Sequence, residues 1–248
     1  MEKSLKYLNN SDQKTYIKKK FKKKEVYKQV EKIIRIEKSK KKILDVGTAN
    51  GELIYFLNKK FQNRFEYTGI DISSKLIQFA KKNQPKIRFF RKNINDKSFK
   101  EKFDIIILLG VSGYYNDIRK LIDKSLSILN KRGIIILEGG VNFNNFDVKI
   151  KFRENYKKIK TKWENGFNAI SAYSLINYLK KKKLKFNFVS WKFKIPLKFK
   201  KKDDKIRNRT FMDHKNNFWI INGLNIVTHG PLNNHLNHNA SMLIIRKN

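Results

Sequence analysis

A chain of 248 residues with an apolar fraction of 40% is long enough to bury one sizeable core. It has no Cys, which excludes a disulfide framework, a thiolate metal site and a cysteine nucleophile, and which fits a reducing compartment. Its 58 Lys and Arg against 21 Asp and Glu give a net charge of +37, which points either to nucleic acid or an anionic membrane surface, or to lysine-rich coding in a low-GC genome.

The preference for Lys over Arg favours the coding explanation, because phosphate readers recruit Arg for bidentate contacts. The basic clusters at 18–28 and 192–205 keep the polyanion reading open. The N-terminus lacks an apolar stretch of signal-peptide type. The longest apolar run, "IIILLGV" at 105–111, is too short to span a bilayer. The expectation is a soluble cytoplasmic protein with no transmembrane segment.

In chain order, 11–37 is predicted as a helix capped by Ser11 or Asp12, with Ile17, Phe21, Tyr27, Val30 and Ile34 along one face. "KILDV" (42–46) reads as a strand and "NGELIYFLNKKF" (50–61) as a helix opening at Asn50. "EYTGID" (66–71) is a second strand, 73–83 a helix stopped by Pro85, and "KIRFF" (86–90) a third strand. "FDIIILLG" (103–110) is continuously apolar, as a strand covered on both faces should be. A helix at 117–130 and a strand at 133–139 follow. After Gly140 the regularity stops until a helix at 171–182, a strand at 184–195, a hairpin at 209–221 turning at Lys215–Asn217, and a strand at 241–247. Alternating strand and helix argue for a parallel sheet with helices on both faces.

The most informative stretch is "KKILDVGTANGELIYFL" (41–57). A strand, a turn of small residues and a helix let a ligand lie against backbone and face unpaired N–H groups. Asp45 stands two residues before Gly47, where a carboxylate would repel a pyrophosphate but suits a cationic ligand. Asp71 ends the next strand 20 residues after Gly51, at a position suited to ribose hydroxyls.

"ILDVGTANG", "YTGIDISSKLIQFAKK", "FFRKNIND", "FDIIILLGVSGYYND" and "LIDKSLSILNKRGIIILEGG" together resemble the motif series of the class I S-adenosylmethionine-dependent methyltransferases over roughly 41–140. The resemblance implies a Rossmann-like α/β fold: a mostly parallel seven-stranded sheet with helices on both faces, an N-terminal helix and a C-terminal insertion or lid. It implies a helical extension over 1–40 and a methyltransferase domain over 41–248. Within that domain, 41–140 would form the cofactor core, with 141–170 and 196–240 as substrate caps. It also implies S-adenosylmethionine as cofactor, with Gly47, Thr48, Ala49, Asn50 and Gly51 forming the cofactor loop. Asp45 would orient the methionyl ammonium, and Asp71 would take the ribose hydroxyls. Ile72 would pack on the adenine and Asn93 or Ile94 meet its edge, while Leu109 and Gly110 line the mouth. Ala49 replaces the usual Gly and Asn93 a frequent Asp.

The acceptor side is less marked. Without Cys, cytosine C5 chemistry through a thiolate adduct is excluded. The fourth motif, Leu109-Gly110-Val111-Ser112, lacks the Asp/Asn-Pro-Pro-aromatic pattern that resembles amino methylation of bases. Of His214, His229, His235 and His238, His229 on its Gly-Pro turn is the candidate general base. His229, His235 and His238 are poorly spaced for a metal, and no metal site is assigned. Tyr115, with Tyr114, is a candidate for the acceptor pocket, and Trp163 and Glu164 for the lid. The C-terminal part loosely resembles methyltransferases of bacterial surface-polysaccharide biosynthesis, which implies a sugar-like small-molecule acceptor methylated on O or N. An rRNA or tRNA acceptor, suggested by the charge, and a non-catalytic methyltransferase-like binding protein are the alternatives.

Overall fold

The computed structural model describes residues 16–17, 21, 23–39, 41–96, 99–143, 146–149, 151–152, 164–165, 168–194, 209–212, 218–221 and 237–247. Five strands alternate with helices through the first half: β1 (Lys42–Val46), β2 (Glu66–Asp71), β3 (Arg88–Arg91), β4 (Phe103–Leu109) and β5 (Leu129–Glu138). Two more, β6 (Lys185–Lys194) and β7 (Asn237–Arg246), complete one seven-stranded sheet in the order β6-β7-β5-β4-β1-β2-β3. Strands β1 to β5 run parallel to one another. β7 runs antiparallel to both β5 and β6, between which it is inserted. This is the mostly parallel seven-stranded α/β architecture expected from the sequence.

The central strands are apolar on both faces because both faces are covered. On one side α1 (Glu25–Ile36), α2 (Glu52–Phe61) and α3 (Ser74–Asn83) bring Val30, Ile34, Leu53, Leu57, Ile77 and Ala80 against Ile43, Ile105 and Ile136. On the other, α4 (Ile118–Ser127) and α5 (Ala172–Lys181) bring Leu121, Ile122, Leu175 and Leu179 against Leu44, Ile106 and Leu137. Side chains alternate between faces along a strand, so Asp45 and Glu138 project to the α1–α2–α3 side. Strand order reverses between β1 and β4, the place where parallel α/β sheets leave a crevice at their carboxyl ends.

Three expectations change. The predicted 11–37 helix is described as helical only at 16–17 and 25–36. Lys24 is extended (φ −86°, ψ 154°) and makes no side-chain cap. Phe21 lies six residues before Tyr27, off the helical register that Tyr27, Val30 and Ile34 share. The run 18–24 is almost all Lys, and like charges one turn apart oppose a helix. The proposed caps Ser11 and Asp12 lie outside the described residues. β5 begins at Leu129, ahead of the predicted 133, with a register shift between Phe103 and Ile105 on its partner. β7 begins at Asn237, ahead of the predicted 241, because "NHNA" pairs with 191–194 despite its polarity. The 209–212 and 218–221 hairpin is present; its turn at Lys215–Asn217 lies outside the described residues.

Candidate functional site

The loop after β1 is held by backbone bonds that its small residues permit. The N–H groups of Gly47 and Thr48 donate to the Ile70 carbonyl at 2.8 and 3.0 Å, docking the turn on the end of β2. Gly47 (φ +72°), Ala49 (φ +50°) and Gly51 (φ +79°) are all left-handed. A Cβ at Gly47 would sit 2.1 Å from Val111 Cγ1, and one at Gly51 2.8 Å from the Phe89 ring. Glycine at these two positions is therefore required by space as well as by φ. Ala49 carries the strain of the same conformation, about 1 kcal/mol. Its N–H is fixed by Asp71 Oδ2 at 3.0 Å.

Asp71 thus ties the loop to β2. Its other oxygen accepts from Ser73 N–H at 2.9 Å, and Ser73, not Asp71, caps α3 through Leu76 N–H. Burial raises the Asp71 pKa, against the Ser73 and Ala49 N–H groups. Asp45 is only 3% exposed. Burial lifts its pKa from 3.8 to about 7; the Thr48 hydroxyl opposes the rise and the Asp71 charge adds to it. Among the described residues no cation offsets Asp45, and the Thr48 hydroxyl, buried beside it, is the polar group nearest to satisfying its charge. A buried carboxylate without a cation partner suits a positively charged, hydrogen-bonding guest.

The N-terminal segment packs on the end of the loop and the start of α2. Asn50 Nδ2 donates to the Tyr16 carbonyl at 2.8 Å, and Asn50 Oδ1 accepts from Glu52 N–H at 3.2 Å. The Tyr27 hydroxyl donates to Glu52 Oε2 at 2.8 Å, and Lys24 Nζ lies 2.8 Å from the same oxygen. Phe21 packs edge-on against Tyr55 with ring centroids 5.0 Å apart. Lys23 is paired with Glu31 and Lys28 with Glu25. The described lysines of the 18–28 cluster therefore have partners within the fold.

The remaining predicted cofactor residues divide. Ile72 is half-buried at the end of β2, and its carbonyl accepts from Arg91 Nε. Asn93 Oδ1 accepts from Asn95 N–H at 3.0 Å, so the amide shapes its own turn. The Ile94 side chain is 1% exposed inside the core, which leaves only its backbone for a ligand. Leu109 is half-buried against the core, and Gly110 (φ +65°) has nothing within 4 Å of an added Cβ. The sheet end is open there.

Beyond Gly110 the loops after β4 and β5 lock together. The Ser112 hydroxyl donates to the Gly139 carbonyl. Asn168 N–H donates to the Gly113 carbonyl at 2.6 Å, and its Nδ2 to the Tyr115 carbonyl at 3.1 Å. An open cleft of about 350 Å³ results, lined by Tyr115, Asn116, Arg119, Asp147, Lys149 and Asn168 among others. Tyr115 lies both at this cleft and against the core. His229, Trp163, His214 and His235 lie outside the described residues, and of Glu164 and His238 only the backbone is described.

Sequence reasoning missed Glu138. It ends β5 beside Gly110, and burial raises its pKa, the Gly110 N–H working against the rise. Among the described residues no side chain pairs with its carboxylate. The signal was present: an acid closing the apolar run "GIIILEG", as Asp45 closes "KILDV" and Asp71 "YTGID".

A family model described as a methyltransferase domain matches residues 37–203, more than half of the chain. A malonyl-[acyl-carrier protein] O-methyltransferase of Acetivibrio thermocellus is 23% identical over 143 residues, 56% of this chain and 50% of its own. The chain thus spans about half the length of that curated relative. Among solved structures, TehB from Haemophilus influenzae superposes with a TM-score of 0.52 at 16% identity, covering 91% of this chain and 63% of TehB. YcgJ from Bacillus subtilis gives 0.52 at 10% identity, covering 89% and 98%. These likenesses show the fold. The chain belongs to the methyltransferase-domain family, whose cofactor is S-adenosylmethionine.

Proposed function

We propose that this member of the methyltransferase-domain family uses S-adenosylmethionine to methylate an oxygen or nitrogen of a sugar-like small molecule. One observation supports the reading: Asp71 at the end of β2 holds the left-handed small-residue loop through the Ala49 N–H, beside the buried Asp45 of β1. Asp71 would accept from the ribose hydroxyls, its orientation already fixed by two backbone N–H groups. Asp45 and the Thr48 hydroxyl would face the cationic methionyl end. Ile72 would pack on the adenine, and the Asn93 amide and Ile94 backbone would meet its edge. When bound, the cofactor supplies an electrophilic methyl on a sulfonium. The protein holds it in line with the acceptor and excludes water. The Tyr16–Asn50 and Glu52 contacts of the N-terminal segment close one side.

The sugar-like acceptor rests on the cleft beside Gly110. Its Asn, Asp, Arg and Lys lining suits a hydroxyl-rich molecule. Titrating S-adenosylmethionine into the protein by calorimetry tests the cofactor reading. Saturable binding is expected, weakened at least tenfold in Asp71→Ala, since a hydrogen bond to a charged group is worth about 1.5–3 kcal/mol. Absence of binding, or indistinguishable wild type and variant, would refute it.

A further inference from the structure

Three carboxylates stand at the carboxyl ends of parallel strands in this sheet: Asp71 on β2, Asp45 on β1 and Glu138 on β5. The first two belong to the cofactor loop. Glu138 does not. It lies on the far side of β4, opposite Leu109 in the β4–β5 register and two residues beyond the level of Asp45. With strands about 4.8 Å apart and roughly 3.3 Å per residue, its Cα is roughly 12 Å from that of Asp45, on the same face. Between them lies Gly110, which leaves the sheet end open.

The direction of the donor follows from its anchors. Ribose held at β2 and methionyl at β1 would put the sulfonium over the β1–β4 crevice. With ribose and methionyl held there, the methyl would be presented across Gly110 toward β5. There the first ionisable side chain on that face is Glu138, with no side-chain partner among the described residues. Every other strand-end acid is held by loop contacts or sealed inside the turn. A carboxylate that is mostly enclosed and met only by one backbone N–H, from Gly110, is costly unless something charged or hydrogen-bonding arrives.

We propose that the Glu138 carboxylate faces the transferred methyl group and receives the hydrogen of the acceptor heteroatom; the inference rests on the cofactor reading above. In the step, the acceptor oxygen or nitrogen attacks the methyl carbon as the carbon–sulfur bond breaks. Its electron pair returns to sulfur, leaving a neutral thioether. The acceptor's proton passes to Glu138, which becomes a neutral acid, so charge and atoms balance. Burial makes Glu138 a stronger base than an exposed glutamate.

The test needs no acceptor. Sinefungin carries a primary ammonium where the donor carries its methyl, and S-adenosylhomocysteine carries nothing there. Calorimetry with both ligands compares wild type, Glu138→Gln and Glu138→Asp. The expected result is a loss of tenfold or more in sinefungin affinity for Glu138→Gln, with S-adenosylhomocysteine changed less than twofold. Glu138→Asp, which keeps the charge but retracts it by one methylene, should fall between, and it carries the test if the Gln variant does not fold. Equal losses for the two ligands, or none for either, overturn the assignment. Failure of both ligands to bind wild type overturns the cofactor reading along with it.

Discussion

Replacing Asp45 by Asn removes the most completely enclosed carboxylate of the site while keeping its shape. In the folded apo protein the Asp45 pKa stands near 7 instead of 3.8, chiefly because the charged form is desolvated. Below the lower value the side chain is protonated in both folded and unfolded chains, and the carboxyl carries no ionisation penalty. Between about pH 4 and pH 7 the unfolded chain ionises first, so stability is lost as pH rises, and the loss levels off above 7. A gap of roughly 3 pH units at about 1.4 kcal/mol each amounts to about 4 kcal/mol. Asp45→Asn should therefore melt together with wild type at pH 4 and roughly 10 °C higher at pH 8, given about 2–4 °C per kcal/mol for a chain of this size. Differential scanning calorimetry of the ligand-free protein across that range reads the effect. Binding of S-adenosylmethionine should be weaker in the variant at pH 8, because the neutral amide no longer attracts a cation. Melting curves whose pH dependence is the same for both proteins would show that Asp45 is not desolvated, and the account of the pocket would fail.

Gly47→Ala should lower stability by more than the 1–2 kcal/mol of a left-handed Cβ, since that Cβ meets Val111 at 2.1 Å; urea unfolding and loss of cofactor binding in the same preparation check it. Glu52→Ala should cost about 1–3 kcal/mol, because the buried Tyr27 hydroxyl and Lys24 lose their shared acceptor, and hydrogen exchange in α1 should accelerate while β4 stays protected. Phe89→Ala should cost about 3–5 kcal/mol, as Phe89 is 1% exposed and fills the space under Gly51 and Gly69; a change below 1 kcal/mol in chemical denaturation would contradict that packing.

The cofactor half of the molecule was legible because its signals are local. "KILDV", "EYTGID" and "FDIIILLG" each declare a covered strand, and the first two end on the acid that defines the loop. The left-handed φ at 47, 49 and 51 is what small residues there foretell. The helix over 11–37 was overdrawn because apolar spacing was credited across a lysine run that breaks the register between Phe21 and Tyr27. The early starts of β5 and β7 escaped because "LNKR" and "NHNA" are polar and become strand only by pairing with partners distant in sequence. The cleft beyond Gly110 was legible only in part, through Tyr115. Its walls come from 112–119, 147–149 and 168–170, joined by Asn168 and Ser112 rather than by any periodic pattern. Glu138 was overlooked although it repeats the strand-closing acid already recognised twice.

The placement of β7 between β5 and β6 has a consequence for biosynthesis. A nascent polypeptide released from the ribosome through residue 236 already holds β1 to β5 and the donor crevice, yet β5 still shows a bare amide edge and β6 has no neighbour to join. Such an edge invites strand addition from other chains. Newly made copies thus pass through an interval in which β1 to β5 and their loops are assembled while the barrier to aggregation is not. A small ligand binding early at β1 and β2 would leave that interval untouched, whereas any change that speeds the entry of residues 237–246 would shorten it.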